Sequence, residues 1–433
     1  MNTKFLLKLI ALVILCSCYH SFGQKLSRTE NKILKTIEAN NAEAINFLEK
    51  VVNINSGTMN HDGVKKVGME FDNAFTNIGF NTAWYDMSQV NRSGHLFAEN
   101  EGKKGKKLLL IGHLDTVFEA DSPFQEFKML NDSMAQAPGG NDMKGGDIII
   151  LYALKALKDN GLLKNTQIIV ALTGDEESTG KPLDISREHL IEAAKRSDIA
   201  LCFETSTGFN YATVARRGSS GWKVEVEGKR AHSSGIFNEN IGAGAIFEMS
   251  RILNSFYNEV RGEDYLTFNP GVILGGTTVN FDETLSKGTA FGKSNVVAQT
   301  AVVDGGLRFI SEEQKETARN KMKAIVANSL PKTSAKIMFT DSYPAMEATD
   351  GNYRLLKTLN QVSLDLNQGG VQAFDPGKRG AADTSFVAEY VDCLDGLGTM
   401  GSGAHTPKET VNLNSMEALT KRAAILIYRL IKQ

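Results

Sequence analysis

The chain has 433 residues, and 48 Lys and Arg against 50 Asp and Glu give a formal net charge of −2. That length exceeds what one hydrophobic core usually serves, so two lobes are expected. The balanced charge removes the electrostatic case for a nucleic-acid partner, and 42% hydrophobic with 23% charged residues excludes wholesale disorder.

The amino terminus places Lys4 and Lys8 around an apolar run from Phe5 to Cys16, followed by Ser21-Phe22-Gly23. A basic start, a short apolar stretch and small residues before a cut make the order of a secretory signal. Residues 1–23 therefore read as a signal peptide and the remainder as exported, periplasmic or secreted. The run is too short to cross a bilayer, so no membrane span is expected. A second reading takes Leu15-Cys16-Ser17-Cys18 as a lipoprotein box with Cys18 lipidated. Cleavage would leave only Cys202 and Cys393, each in an apolar stretch, which reads as buried thiols and not as a disulfide framework.

Residues 27–52 and 61–79 carry apolar positions three and four apart and predict helices. Lys107–Ile111 and Gln167–Leu172 are short apolar runs that end in polar loops, as buried strands do, and Lys144–Asp159 between them has helical periodicity. Strand, loop, helix and strand in that order predict a mainly parallel α/β sheet with helices on both faces. Ligands then collect outside the carboxyl ends of its strands. From Val214 the texture changes, with Trp222, Val224 and Val226 alternating against Lys223, Glu225 and Glu227. A helix at 241–260, strands at 271–281 and 295–309 and a helix at 312–328 complete an inserted α+β lobe. The α/β pattern is expected to resume at Ala335–Phe339 and to close with a helix at 415–432, giving a discontinuous catalytic domain of 24–213 and 327–433 around a lid at 214–326.

Five polar clusters punctuate this pattern. His113 follows a buried strand in Gly112-His113-Leu114-Asp115, where an imidazole suits zinc and a carboxylate two residues on can fix its tautomer. A hydrogen-bonded loop histidine fits equally. Asp142 sits in the glycine-rich turn Pro138-Gly139-Gly140-Asn141-Asp142-Met143-Lys144-Gly145-Gly146, where an acid would repel phosphate and suits a metal better. Asp175-Glu176-Glu177 ends another apolar strand. Such a run is usually a solvated loop, and at the carboxyl edge of a sheet a neutralising cation is the alternative. Glu204 ends a third strand, and His405 lies in Gly403-Ala404-His405-Thr406. Together they form a nitrogen and oxygen donor set for two zinc ions with one bridging acid. One carboxylate more than the ligands need is left to act on water.

This joint pattern resembles the dizinc metallopeptidase family of glutamate carboxypeptidases, aminoacylases, acetylornithine deacetylase and succinyl-diaminopimelate desuccinylase, with glutamate carboxypeptidase the nearest in pattern. The resemblance implies a zinc exopeptidase-like fold with a lid that also dimerises. It implies two zinc ions per chain, one held by His113, Asp142 and Glu204 and the other by Asp142, Glu177 and His405. It makes Asp115 the group that orients His113 and Glu176 the general base on a water between the ions, and it places a non-proline cis peptide at Asn141-Asp142. Gly228-Lys229-Arg230-Ala231-His232-Ser233 resembles the family segment whose His stabilises the oxyanion in the partner subunit's site, so a homodimer is implied. Asn295 and Arg308 are similar in position to the groups that bind a terminal carboxylate, and an Arg fork matches a carboxylate bidentately. Arg379-Gly380-Ala381-Ala382-Asp383-Thr384 resembles the family's Gly-Gly-Thr-Asp substrate loop, with the small-residue run reading Gly-Ala-Ala and Arg379 in front of it. The activity implied is hydrolysis of the amide bond next to a C-terminal amino acid, on a peptide or N-acyl amino acid with a free carboxylate. An N-acyl amino acid deacylase or dipeptidase shares every metal motif, and a peptide-binding protein without catalysis is the reading from another class.

Overall fold

The computed structural model describes residues 26–283 and 285–433, so the signal-peptide and lipoprotein readings lie outside the described residues. Its central sheet has six strands, in spatial order Asn81–Asp86, Gly94–Asn100, Thr166–Thr173, Lys104–His113, Ile199–Cys202 and Asp392–Leu394. The last four run parallel, and the first two add an antiparallel edge. Alternate residues of one strand feed two different cores, as period-two geometry requires. Leu108 and Leu110 pack with the helices Arg28–Val52, Gly145–Asp159 and Leu413–Leu430, whereas Leu109 and Ile111 pack with Leu190, Ala193 and Ala194 of the helix Glu188–Lys195. Burial on both faces is why these strands are unbroken apolar runs in the sequence. The expected mixed α/β sheet with helices on both sides is thus present.

The register aligns the carboxyl ends. His113 is opposite Thr173, and Ile111 is opposite Cys202, so the segments beginning at His113, Gly174 and Phe203 leave the sheet along one edge. A small sheet of short strands pairs Gln136 with Thr410 and Ser402 with Thr410, which delivers the loop of His405 to the same edge. Among the described residues no helix is long and apolar enough to cross a membrane. Cys202 and Cys393 are both buried and free.

The lid is an antiparallel sheet ordered Thr267–Gly276, Thr300–Phe309, Gly218–Gly228 and Thr333–Asp341. The helices Ala245–Ser255 and Glu312–Ala327 enclose its own core of Trp222, Val224, Val226, Met249, Ile252, Val303 and Met322. Several expectations need correction here. Thr333–Asp341 does not resume the catalytic α/β pattern; it pairs along Gly218–Gly228 as an edge strand of the lid. Ala335, Ile337 and Phe339 pack on the lid core while Lys336 faces outward, a one-sided pattern that the doubly buried central strands do not have. A boundary at 326 would cut the helix Glu312–Ala327 just before its end, so the chain returns to the catalytic domain only after Asp341. The helix expected from 241 starts at Ala245, because Gly242 and Gly244 hold positive φ of 74° and 76°. The strand expected from 295 starts at Thr300, leaving Asn295 in a turn, and 271–281 is divided at Thr277 and followed by a partner strand Lys287–Phe291.

Candidate active site

The glycine-rich turn brings Asp142 to the cage by close backbone approach. A Cβ at Gly146 would stand 2.1 Å from the Phe203 carbonyl oxygen, so only glycine lets this helix start lie against the strand end that carries Glu204. The turn is pinned by Glu409, a buried carboxylate that accepts the main-chain N–H groups of Asn141 at 2.9 Å, Asp142 at 3.1 Å and Gly139 at 3.3 Å. Burial, with the charge of Asp142, lifts Glu409 to about 7. Lys144 is buried beneath and donates to the carbonyls of Val51 and Ile54. The non-proline cis peptide lies at Asp142-Met143, one bond later than expected at Asn141-Asp142: it follows the acid instead of preceding it.

Every residue expected as a metal ligand reaches one cage. His113 Nε2 lies 3.5 Å from Asp142 Oδ1 and 3.7 Å from Glu204 Oε1. His405 Nε2 lies 3.1 Å from Asp142 Oδ2 and 3.3 Å from Glu177 Oε2. Two ligands about 2.0 Å from one tetrahedral ion lie about 3.3 Å apart, which is the spacing seen here. Asp142 presents a different oxygen to each imidazole, as a bridging acid would. His113 Nδ1 lies 3.0 Å from the Asp115 carbonyl oxygen and can donate to it, which turns the Nε2 lone pair toward two carboxylates. That nitrogen is buried with no hydrogen-bond partner, and so is Glu177 Oε1. Buried acceptors facing one another without a donor between them fit a cation. Hydrogen bonds to Asp142 and Glu177 raise the His405 pKa to about 11, a measure of how strongly the cage attracts positive charge.

Asp115 does more than orient His113. The main-chain oxygen is the nearer contact of His113, whereas its carboxylate, 3.5 Å from Nδ1, is committed elsewhere. The carboxylate accepts the amides of Glu176 at 3.0 Å and Glu177 at 3.1 Å and the hydroxyl of Thr58 at 2.7 Å. It therefore orients the two glutamates as well as the histidine. Glu176 projects into the cage: one of its oxygens lies within 4.8 Å of donor atoms of His113 and Glu204. Burial, reinforced by the charge of Glu204, holds the Glu176 carboxyl well above the usual carboxylate range.

Asp175 turns the other way. It pairs with Arg187, which also holds Asp383 Oδ1 at 2.9 Å, all three being buried. Burial pushes Asp175 up, but the charges of Arg187 and His95 outweigh it and hold it at about 2. Arg187→Leu would leave two buried carboxylates without their counter-ion and is expected to cost about 3–5 kcal/mol, readable as a lowered urea midpoint. A loss below about 1 kcal/mol would show that water reaches this pair.

The remaining expected residues fall in two groups. His232 is exposed on the lid, with Nδ1 2.8 Å from Ser234 Oγ, and its bridge to Val296 sets it beside Asn295. Neither has a hydrogen bond or ion pair to the cage. Arg308 is solvent-exposed on a lid strand, where partial desolvation and the Arg217 charge lower its pKa. Arg379 and Gly380 lie on the catalytic side. Gly380 accepts from Arg216 Nη1 at 2.9 Å, and Arg216 pairs with buried Asp395. Arg379 Nε and Nη2 are buried without partners, and burial with the Arg216 charge lowers its pKa against the pull of Asp395, Glu204 and Asp142. Glu409, Arg187, Arg216 and Asp395 were not singled out from sequence. Each works through a tertiary hydrogen bond that no local spacing announces.

With this geometry in view, a family model described as peptidase family M20/M25/M40 matches residues 109–429. The chain belongs to that family. Carboxypeptidase G2 of Pseudomonas sp. (strain RS-16) is 26% identical over 408 residues, covering 92% of each chain. A probable succinyl-diaminopimelate desuccinylase of Staphylococcus aureus (strain MRSA252) is 28% identical over 347 residues, covering 73% of this chain and 81% of that one. A tripeptidase structure from Staphylococcus aureus superposes with a TM-score of 0.69 at 19% identity, covering 91% of this chain and 99% of that one. This M20 family member is accordingly a hydrolase of a metallopeptidase family, with a cage of the donor types such an enzyme requires.

Proposed function

We propose that the protein is a dizinc, carboxypeptidase-like hydrolase that cleaves the amide bond next to a C-terminal amino acid. The observation that carries the reading is the buried carboxylate of Glu176 beside a cage in which Asp142 faces both His113 and His405. His113, Asp142 and Glu204 would hold one ion, and Asp142, Glu177 and His405 the other. Bound there, the ions supply Lewis acidity toward a water and toward the substrate carbonyl. Glu176 takes the water's proton and later gives it to the leaving amine nitrogen. His232 of a second copy would donate to the oxyanion. Support for a homodimer is the solvent exposure of Phe247 on the lid helix and Ile273 on the lid's edge strand.

Arg217, Arg308 and Arg379 have no carboxylate within ion-pair distance among the described residues. A guanidinium without an acid favours an anionic ligand, most of all at Arg379, whose Nε and Nη2 are buried without partners, and Asn295, Arg308, Arg379 and Gly380 are the proposed subsite for the substrate's free carboxylate. Arg308→Ala is expected to raise KM about tenfold or more with a smaller change in kcat, a loss of about 1.5–3 kcal/mol typical of a charge-assisted hydrogen bond. Equal KM for the variant and the parent would remove Arg308 from the subsite. The reading is tested by amino-acid release from N-acyl glutamates, N-acetyl amino acids and dipeptides, each with its terminal carboxyl free and amidated, before and after chelation. Preference for N-acetyl amino acids or dipeptides selects the deacylase or dipeptidase reading. Equal rates on amidated substrates discard the carboxylate subsite, and no hydrolysis with both metals bound selects the peptide binder.

A further inference from the structure

The lid joins the catalytic domain through two chain crossings that run side by side. Arg216 and Met346 exchange main-chain hydrogen bonds of 2.9 and 3.1 Å, and Ser219 donates to the Tyr343 carbonyl at 2.8 Å. Tyr343 therefore travels with the root of the lid sheet, two residues beyond its edge strand Thr333–Asp341. Its side chain points the other way, into the catalytic domain. The phenol donates to the carbonyl oxygen of Glu176 at 2.5 Å, and its oxygen lies 2.6 Å from Thr179 Oγ1, which donates in turn. The ring packs on Phe386 at 5.0 Å, and Phe386 sits 5.2 Å from the guanidinium that grips Asp175 and Asp383.

One peptide unit receives both constraints. The unit between Glu176 and Glu177 has its N–H on Asp115 Oδ2 at 3.1 Å and its C=O on Tyr343 at 2.5 Å. A peptide group is rigid, so fixing both ends of its dipole fixes the backbone torsions on either side. Those torsions aim the Glu176 side chain relative to that of Glu177. Asp115 belongs to the catalytic domain and Tyr343 to the hinge, so the two anchors couple the position of the lid to the direction of Glu176.

We infer that Tyr343 is a positioning residue that ties the hinge of the lid to the peptide unit carrying Glu176, so that the base is correctly aimed only when the lid root is seated. The inference rests on the proposed role of Glu176 as base. Tyr343→Phe keeps the ring on Phe386 and removes the anchor together with the contact to Thr179. It is expected to lower kcat about ten- to a hundredfold, the order of loss caused by misplacing a reacting group by an ångström. KM should stay within about twofold, with metal content and thermal midpoint unchanged. The same substitution is made in a Glu176→Gln background, where there is no base left to aim and its effect on the residual rate should vanish. A single variant with unchanged kcat overturns the inference. So does a parallel fall in kcat, metal content and midpoint, which marks a purely structural tyrosine. An undiminished effect of Tyr343→Phe in the Glu176→Gln background overturns it while leaving Glu176 as base. Full activity of Glu176→Gln by itself refutes the base, and with it the ground on which the inference stands.

Discussion

Glu176→Gln is expected to lower kcat by about 10³-fold, within the 10²–10⁴ that a positioned proton-transfer group contributes. The amide is nearly isosteric, and the contacts that place the residue, to Asp115 and Tyr343, are made by its main chain. The proposed ligands are untouched, so metal content measured by mass spectrometry should match the parent. The separation of those two readouts is the informative part. A variant that loses metal along with activity would make Glu176 a ligand, and one that keeps near-normal turnover would place proton transfer elsewhere.

Asp142→Ala is expected to do the opposite and lose both ions, with turnover below about 10⁻³ of the parent. Its two oxygens stand 3.5 Å from His113 and 3.1 Å from His405, and among the described residues it is the one carboxylate in ion-pair contact with both histidines. His405→Ala, which removes a group from one half of the cage, should instead leave close to one ion per chain. The turn itself should survive the Asp142 change, because Glu409 holds it through main-chain N–H groups that alanine retains. Two ions per chain in Asp142→Ala would contradict the bridge.

The ligand cage was legible in the sequence because parallel strands buried on both faces are conspicuous apolar runs, and the polar residues ending them must gather on one edge. His113, the run Asp175-Glu176-Glu177 and Glu204 were located in that way, and Asp142 by the bare glycine turn around it, whereas which acid ligates and which acts as base came only from the family resemblance. The lid was harder to delimit. Thr333–Asp341 pairs with Gly218–Gly228, more than a hundred residues earlier, and its partner cannot be read from its own alternation. The antiparallel edge of Asn81–Asp86 and Gly94–Asn100 and the helix Asp350–Asp365 were passed over as elements, the first pair being short and only partly apolar. The supporting contacts were the least visible. Tyr343 and Glu409 bind main-chain atoms, and a main-chain partner leaves no complementary residue in the sequence.

The cage draws His113 from the first third of the polypeptide and His405 from its last stretch, while Glu409, which holds the turn of Asp142, comes later still. Closing so long a loop carries an entropic cost that grows only slowly with length, but the order of synthesis is fixed. A nascent chain emerging from the ribosome has its acids in place well before it has the second imidazole or the clasp on the turn. On the proposed ligand set, hydrolytic competence therefore cannot precede synthesis of the segment carrying His405 and Glu409, and a product that stopped short of it would hold an incomplete cage.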